Sequence, residues 1–371
     1  MKITGIKFIP TSIDLDPPFC PNWDPKPRTQ FSATITVVET DEGVIGYGSG
    51  DTMEGFSGYE KHFIGTELFD VKNHVRRLET ITFHGGRYWP IEAAIWDAIG
   101  KAKSKTVAEL FGGAEKFIPA YASTGAVMSP ALRAESAKSI RDLGFKAIKI
   151  RVPQSDLALG IETLKAIRDA VGRDLEIMVD LNQAWRMPGD TRDPLDFKTV
   201  SNFLDACADY GVFWLEEPLP MEDIEGLRKL QGRGVKIAGG EMVRTIHEVR
   251  TLLAADALDV YQMDVVLSVG LDHSREIAEK AKSLGKIFTP HTWSNGYGLM
   301  ANLQVTAGLG GAPFIEYPFD PPTWSAARRD FLLAKPIEVD EAGNLWVPNE
   351  PGMGCSINKS LTVNSSIASL V

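Results

Sequence analysis

The chain has 371 residues, 44% hydrophobic and 24% charged, and 39 Lys+Arg against 49 Asp+Glu leave a formal net charge of −10. That length calls for several domains or one large barrel with an appendage. An acidic chain without clustered Lys/Arg excludes nucleic acid and anionic membrane as main partners, and no stretch reaches the roughly 20 apolar residues that span a bilayer. Cys20, Cys207 and Cys355 are scattered and odd in number, which fits a reducing cytoplasm better than a disulfide framework or zinc site. The opening MKITGIKFIPTSIDL alternates like a strand and lacks a signal peptide's apolar run.

In chain order, residues 1–50 read as antiparallel β structure. Ile3 to Ile9 alternates, and 32–39 and 44–48 flank a turn whose Gly43 supplies the positive φ a tight hairpin needs. Residues 17–28, PPFCPNWDPKPR, are too rich in proline to be regular and read as a lid or linker. From about 59 to 111 the pattern is helical, with Ile91, Ala94, Ile95, Ala98 and Ile99 on one face and a stop at Gly112-Gly113. From Phe117 a strand-then-helix unit repeats. The strands are 117–123, 146–152, 176–182, 213–218, 236–241, 260–266, 286–292 and 314–318, and helix-patterned segments separate them. Eight such units predict a (β/α)8-type barrel, with a doubly wound open sheet as the alternative. The Pro/Gly-containing tail from about 335 is expected to pack on the N-terminal domain rather than form an eighth long helix.

Side chains two apart on a strand share a face. In KAIKIRV the apolar Ile148, Ile150 and Val152 face the helices, so Lys149 and Arg151 point into the barrel; the same alternation aims Asp180 and Asn182 inward. Glu216, Glu241, Asp264, His291 and Glu316 fall at or near the C-terminal ends of their strands, where barrel active sites are built. Asp180, Glu216 and Glu241 come from three successive strands. Three buried carboxylates repel one another, and a hard divalent cation, Mg²⁺ above all, resolves the conflict. Glu217 alternates to the outer face, leaving Glu216 as the ligand. Asp264 and His291 end adjacent strands, and a carboxylate beside an imidazole orients it and raises its basicity. The other five histidines lack such a partner and read as surface or satisfied side chains. A cation pair on one side of the mouth, an Asp–His pair on the other and a metal between suit proton abstraction next to a carboxylate.

Taken together, PIEAAIWDAIGKAKSKTVAELFGG, FKAIKIRV, VDLN, WLEEP, GGE, YQMDVV, PHTW and FIEYP resemble the enolase superfamily in its mandelate racemase/muconate lactonizing enzyme branch. The resemblance covers nearly the whole chain. It implies an N-terminal α+β capping domain (1–115), a modified (β/α)7β barrel (116–320) and a C-terminal segment (321–371) packing on the cap. It also implies an essential Mg²⁺ on Asp180, Glu216 and Glu241, an Asp264–His291 dyad, Glu316 as a hydrogen-bonding partner of the substrate carboxylate, and a homo-oligomer.

One departure bears on the reaction: the family's usual Lys-x-Lys reads Lys149-Ile150-Arg151. Arginine stays protonated, so Arg151 is a poor base and a good anion or hydroxyl clamp. Two-base racemisation then loses a partner, unless Lys149 reaches the substrate. A dehydratase can work with His291 alone, removing the α-proton and protonating the leaving hydroxyl. The expectation is therefore an acid-sugar dehydratase acting on a small carboxylate, with a racemase, epimerase or cycloisomerase as the alternative and a non-catalytic metal-dependent binder as a third reading. Specificity is expected from loops 17–28 and 50–60. In the first, Asn22, Trp23, Asp24, Lys26 and Arg28 make a polar lid, with Trp23, Arg28 and the inward Asn182 as candidate substrate contacts. Trp185, Arg186 and Arg192, in the loop inserted after the third barrel strand, either touch substrate or cover the rim.

Overall fold

The computed structural model describes residues 1–50 and 52–363; Asp51 of the 50–60 loop and residues 364–371 of the C-terminal segment lie outside the described residues. Strands β1 (Ile3–Phe19) and β2 (Arg28–Thr40) form a long antiparallel ribbon, extended by β3 (Ile45–Gly48). At its root, Ile3, Ile6 and Val38 pack on Val75, Leu78, Ile91 and Ile95 of the helices Val71–His84 and Trp89–Ala102, in a core separate from that of the barrel. The approach is close because β3 carries glycine. A Cβ at Gly46 or Gly48 would lie 2.0 Å from the carbonyl oxygen of Ala94 or Pro90. Two sequence expectations shift here. Residues 17–19 and 28 continue the ribbon, so only 20–27 form an irregular tip. The helical stretch expected over 59–111 is interrupted, with turns before Val71 and a break at Gly85-Gly86.

The barrel strands are β4 (Phe117–Ser123), β5 (Ala147–Arg151), β6 (Glu176–Asp180), β7 (Val212–Glu216), β8 (Lys236–Gly239), β9 (Val260–Tyr261), β10 (Ile287–Phe288) and β11 (Ile315–Pro318). They pair in parallel in the order β10-β9-β8-β7-β6-β5-β4-β11. The last strand returns to the first and no strand order reverses, so the sheet is a barrel and not doubly wound. No ladder joins β10 to β11 among the described residues. Thr289 Oγ1 donates to the Phe314 carbonyl at 2.6 Å, and the Thr292 N–H donates to Glu316 Oε2 at 2.6 Å. Helices follow the first seven strands, many opened by a side-chain cap such as Ser129, Asp196 or Thr245 on the backbone N–H three residues on. Among the described residues the helices after β11 are short, Ala326–Arg329 and Lys359–Val363, giving the (β/α)7β form.

Alternation builds the interior in layers. Tyr121, Ala147, Met178, Trp214, Ala238 and Val260, one from each of β4 to β9, form a sealed apolar plug. Two residues further along the same faces come Ser123, Lys149, Asp180 and Glu216, so the plug is the floor under a polar layer at the strand ends. The outward Ile148, Ile150, Ile177, Val179, Leu215 and Ile237 join the helix-facing core. The tail departs from expectation in part. Strand β12 (Asn344–Trp346) pairs antiparallel with β4 of the barrel, while Met353 N–H donates to Asp97 Oδ1 at 2.8 Å on the helix Trp89–Ala102 and Gly352 N–H to the Lys105 carbonyl at 2.9 Å in the turn after it. Among the described residues no helix is long and apolar enough to cross a membrane.

Candidate active site

Asp180, Glu216 and Glu241 meet at the C-terminal mouth, each offering an oxygen within 4.8 Å of the others, and all three are buried. Asp180 and Glu216 close their strands; Glu241 sits past β8, after Gly240, whose φ is +93°. The three are held differently. Glu216 receives Lys149 Nζ at 2.5 Å, Gln262 Nε2 at 2.8 Å and Trp214 Nε1 at 3.0 Å. Asp180 is paired with the Arg151 guanidinium, lies 3.7 Å from Lys149 Nζ and accepts the Asn182 N–H at 2.7 Å. Among the described residues Glu241 has no lysine or arginine partner within ion-pair distance. Its Oε1 accepts from Trp185 Nε1 at 2.8 Å, and its buried Oε2 has no hydrogen-bond partner.

Electrostatics follows this division. Burial alone would raise the Glu216 carboxyl, but Lys149 and Arg151 override it and hold it below the usual range. Burial raises Glu241, with His291 only partly offsetting it. Lys149 also reaches Glu316 at 2.6 Å, so four carboxylates (Asp180, Glu216, Glu241, Glu316) face two fixed cations (Lys149, Arg151): −4 + 2 = −2. An orphaned oxygen, three converging carboxylates and a surplus of two negative charges suit a hard divalent cation.

His291 Nδ1 lies 3.0 Å from Asp264 Oδ2, and His291 Nε2 lies 3.7 Å from Glu241 Oε2. Asp264 is itself fixed, since its Oδ1 accepts the Val266 and Leu267 N–H groups and Asn302 Nδ2. Burial pushes the imidazole down, but Glu241, Glu316 and Asp264 together hold it up to about 9. His291 lines a cavity of about 800 Å³ with Arg151, Asn182, Glu217, Glu241, Trp23 and Arg28. None of the other five histidines lines it.

The expected residues are not all on the wall. Lys149 lies beneath it, fully buried and enclosed by carboxylates, not across the mouth. Glu316 is likewise behind the wall. Its Oε1 accepts from Ser123 Oγ at 2.7 Å and from Lys149, and its Oε2 accepts the N–H of Thr292, the residue after His291. Arg151 is on the wall, donating to Asn182 Oδ1 at 3.1 Å and stacking 4.6 Å over Trp23. The ribbon tip thus reaches the barrel, where Phe19, Trp23, Trp293 and Trp324 form one aromatic cluster and Asn22 donates its Nδ2 to the Val152 carbonyl at 3.2 Å. Asn22, Asp24 and Lys26 do not line the cavity; Arg28 does, with its Nε 2.8 Å from Asp24. Gly50 and Thr52 represent the second loop. Trp185 and Arg186 line the cavity, whereas Arg192 is exposed and paired with Asp190 on the loop.

Glu217 corrects the sequence reading. It does not face the helices but lines the cavity, fully buried, and among the described residues neither carboxyl oxygen is hydrogen-bonded. The alternation that assigned it outward assumes a continuing strand. The chain instead leaves β7 at Glu217 with φ at +44°. Burial and the nearby Glu241 raise its carboxyl well above the usual range. Trp185 as a partner of Glu241 was also hidden, because only the folded loop brings residue 185 against 241.

Comparison with known proteins adds to this geometry. A family model described as enolase C-terminal domain-like matches residues 131–361. An arabinonate dehydratase of Saccharolobus solfataricus is 30% identical over 272 residues, 72% of this chain and 68% of the relative. A D-galactarolactone cycloisomerase of Agrobacterium fabrum is 26% identical over 394 aligned positions, 97% of each chain. A solved structure of an enolase superfamily member from Polaromonas sp. JS666 superposes with a TM-score of 0.85 at 26% identity, over 97% of this chain and 96% of that one.

Proposed function

The chain belongs to the enolase superfamily, in the mandelate racemase/muconate lactonizing enzyme branch, and from that premise we propose that it is an Mg²⁺-dependent dehydratase of an acid sugar, removing the α-proton of a carboxylate substrate and then water to give a 2-keto-3-deoxy acid. The observation that carries the reading is one-sided. An Asp-anchored histidine opens onto the cavity, while the opposite wall offers Arg151 and the lysine of that strand is sealed below. Asp180, Glu216 and Glu241 would hold the Mg²⁺, which would supply a Lewis acid for the substrate carboxylate and for the charge that develops on it.

The chain's own groups do the rest. Asp264 fixes the His291 tautomer, with Nδ1–H toward the carboxylate and Nε2 toward the cavity. Glu241 is the largest upward push on His291, and the imidazole acts as a base in its neutral form through Nε2. His291 takes the α-proton and returns it to the departing β-hydroxyl, as acid in the second half-step. Arg151 clamps the anion with its guanidinium fork and transfers no proton. Asn182 directs its unpartnered Nδ2 at a substrate hydroxyl. Lys149 neutralises the metal ligands, and Glu316 anchors the segment carrying His291. Trp23 and Arg28 close the site from the ribbon tip.

The test is a library of aldonates and aldarates with Mg²⁺, reading 2-keto acid as its semicarbazone. No keto acid from any member, with α-proton exchange in D₂O on some other acid, would refute dehydration. Cycloisomerisation or epimerisation is the second reading, favoured by the end-to-end similarity to the A. fabrum cycloisomerase. It predicts deuterium incorporation without keto acid.

A further inference from the structure

Among the described residues, Glu217 is the one buried carboxyl of the cavity wall that the mechanism leaves unused. It is fully buried, both its oxygens lack partners among the described residues, and it holds a left-handed backbone conformation that a non-glycine residue adopts at a cost. A buried polar group left unsatisfied needs a reason. The surroundings say what kind. Glu217 is not among the three carboxylates whose oxygens converge as a cation site. Its own carbonyl accepts the Gln183 N–H at 3.0 Å, and its N–H donates to the Ala238 carbonyl at 2.9 Å, so the ends of β6 and β8 clamp its backbone and fix where the side chain goes. Beside it on the wall is Asn182, also at positive φ (+48°), with its Nδ2 unpartnered. A carboxyl group offers the anionic end of an acid no counter-charge. A cationic ligand is disfavoured because Arg28, Arg87, Arg151, Arg186 and Arg244 line the same cavity. Neutral donors remain.

We propose that Glu217 is a specificity residue that accepts hydrogen bonds from hydroxyls on the substrate's carbon chain, so that the site selects polyhydroxylated acids over deoxy acids of the same length. This deepens the acid-sugar reading and rests on it for the substrate class. It concerns recognition, however, and so can be measured without turnover. Substrate hydroxyls left without their acceptor in a buried site predict a loss of roughly 10–100-fold when the carboxyl oxygens are removed.

The probes are two matched pairs, galactarate with adipate and gluconate with hexanoate, titrated calorimetrically into the Mg²⁺-loaded wild type and into E217M and E217Q. Methionine keeps the unbranched length without an acceptor oxygen; glutamine keeps one. The expected result is that the wild type prefers the hydroxylated member of each pair. E217M loses about 10–100-fold for that member alone, E217Q falls between, and Mg²⁺ affinity is unchanged in both. Any of four results overturns the proposal: no hydroxyl preference in the wild type, equal losses for both members of a pair, loss of Mg²⁺ affinity in E217Q, or a preference of the wild type over E217M for 5-aminopentanoate with the hydroxylated probes unaffected. Circular dichroism and melting of each variant separate these outcomes from misfolding, with E217Q carrying the test if E217M does not fold. Hydroxyl preference without turnover of any acid sugar would refute the dehydratase reading and leave Glu217's role standing.

Discussion

Replacing Lys149 with methionine isolates the part the fixed cation plays in holding the acidic cluster. Its ammonium lies 2.5 Å from Glu216, 2.6 Å from Glu316 and 3.7 Å from Asp180, with no exposure to solvent. Methionine fills much of the same volume, so the change deletes charge more than packing. Removing one partner of a buried ion pair costs about 3–5 kcal/mol, because the charges left behind lose their compensation. Unfolding entropy of roughly 2.1 cal/mol/K per residue over 371 residues gives about 0.78 kcal/mol/K. Each kcal/mol then moves Tm by about 1.3 °C, and K149M in EDTA should melt about 4–6 °C below the wild type. Excess Mg²⁺ should raise the variant's Tm by more than the wild type's, since a bound cation replaces the lost compensation and stabilises by mass action. Scanning calorimetry of both proteins in EDTA and in MgCl₂ makes the measurement. Equal melting in EDTA, or equal gains on adding Mg²⁺, would refute the reasoning.

Trp185→Phe keeps the packing and removes the N–H that Glu241 accepts; Mg²⁺ affinity by titration calorimetry should fall roughly 10-fold or more, and an unchanged affinity counts against the contact. Arg151→Met should raise KM for the best acid-sugar substrate by roughly 10–100-fold with little change in kcat, whereas a collapse of kcat at unchanged KM would make Arg151 a proton-transfer group. In EDTA, His291 is held up to about 9 from an ordinary 6.5, so its stabilisation is complete below pH 6.5 and is lost as pH rises through 9. Melting curves across that window should therefore fall more steeply for the wild type than for His291→Asn, and parallel curves would contradict the assignment.

The sequence was informative where one rule, alternation, governs. Met178 and Asp180, or Trp214 and Glu216, share a face because the strand is regular, and that alone aims the polar residues at the mouth. Alternation gives a side chain's direction but not its height along the barrel. Lys149 and Arg151 point the same way, yet one is sealed among carboxylates and the other meets the cavity. It also fails where regular backbone stops, which is why Glu217 was placed on the wrong face. The ribbon was underestimated for a different reason. PPFCPNWDPKPR carries proline signals strong enough to hide strand residues at both ends, and strand pairing there depends on tertiary contacts that composition does not encode.

The long ribbon has a consequence for how this scaffold can change. Its root is set in the cap's own core, some ten residues from the tip, and the tip reaches the barrel through side chains of 19–24. At roughly 3.3 Å per residue the two ends stand about 30 Å apart. Exchanges at the tip can therefore alter the cavity's roof while leaving both cores and the strand-end chemistry as they were. Mutational drift and directed evolution alike should find new substrates first in residues 20–28, and the stability cost there should be small enough to accumulate several changes at once.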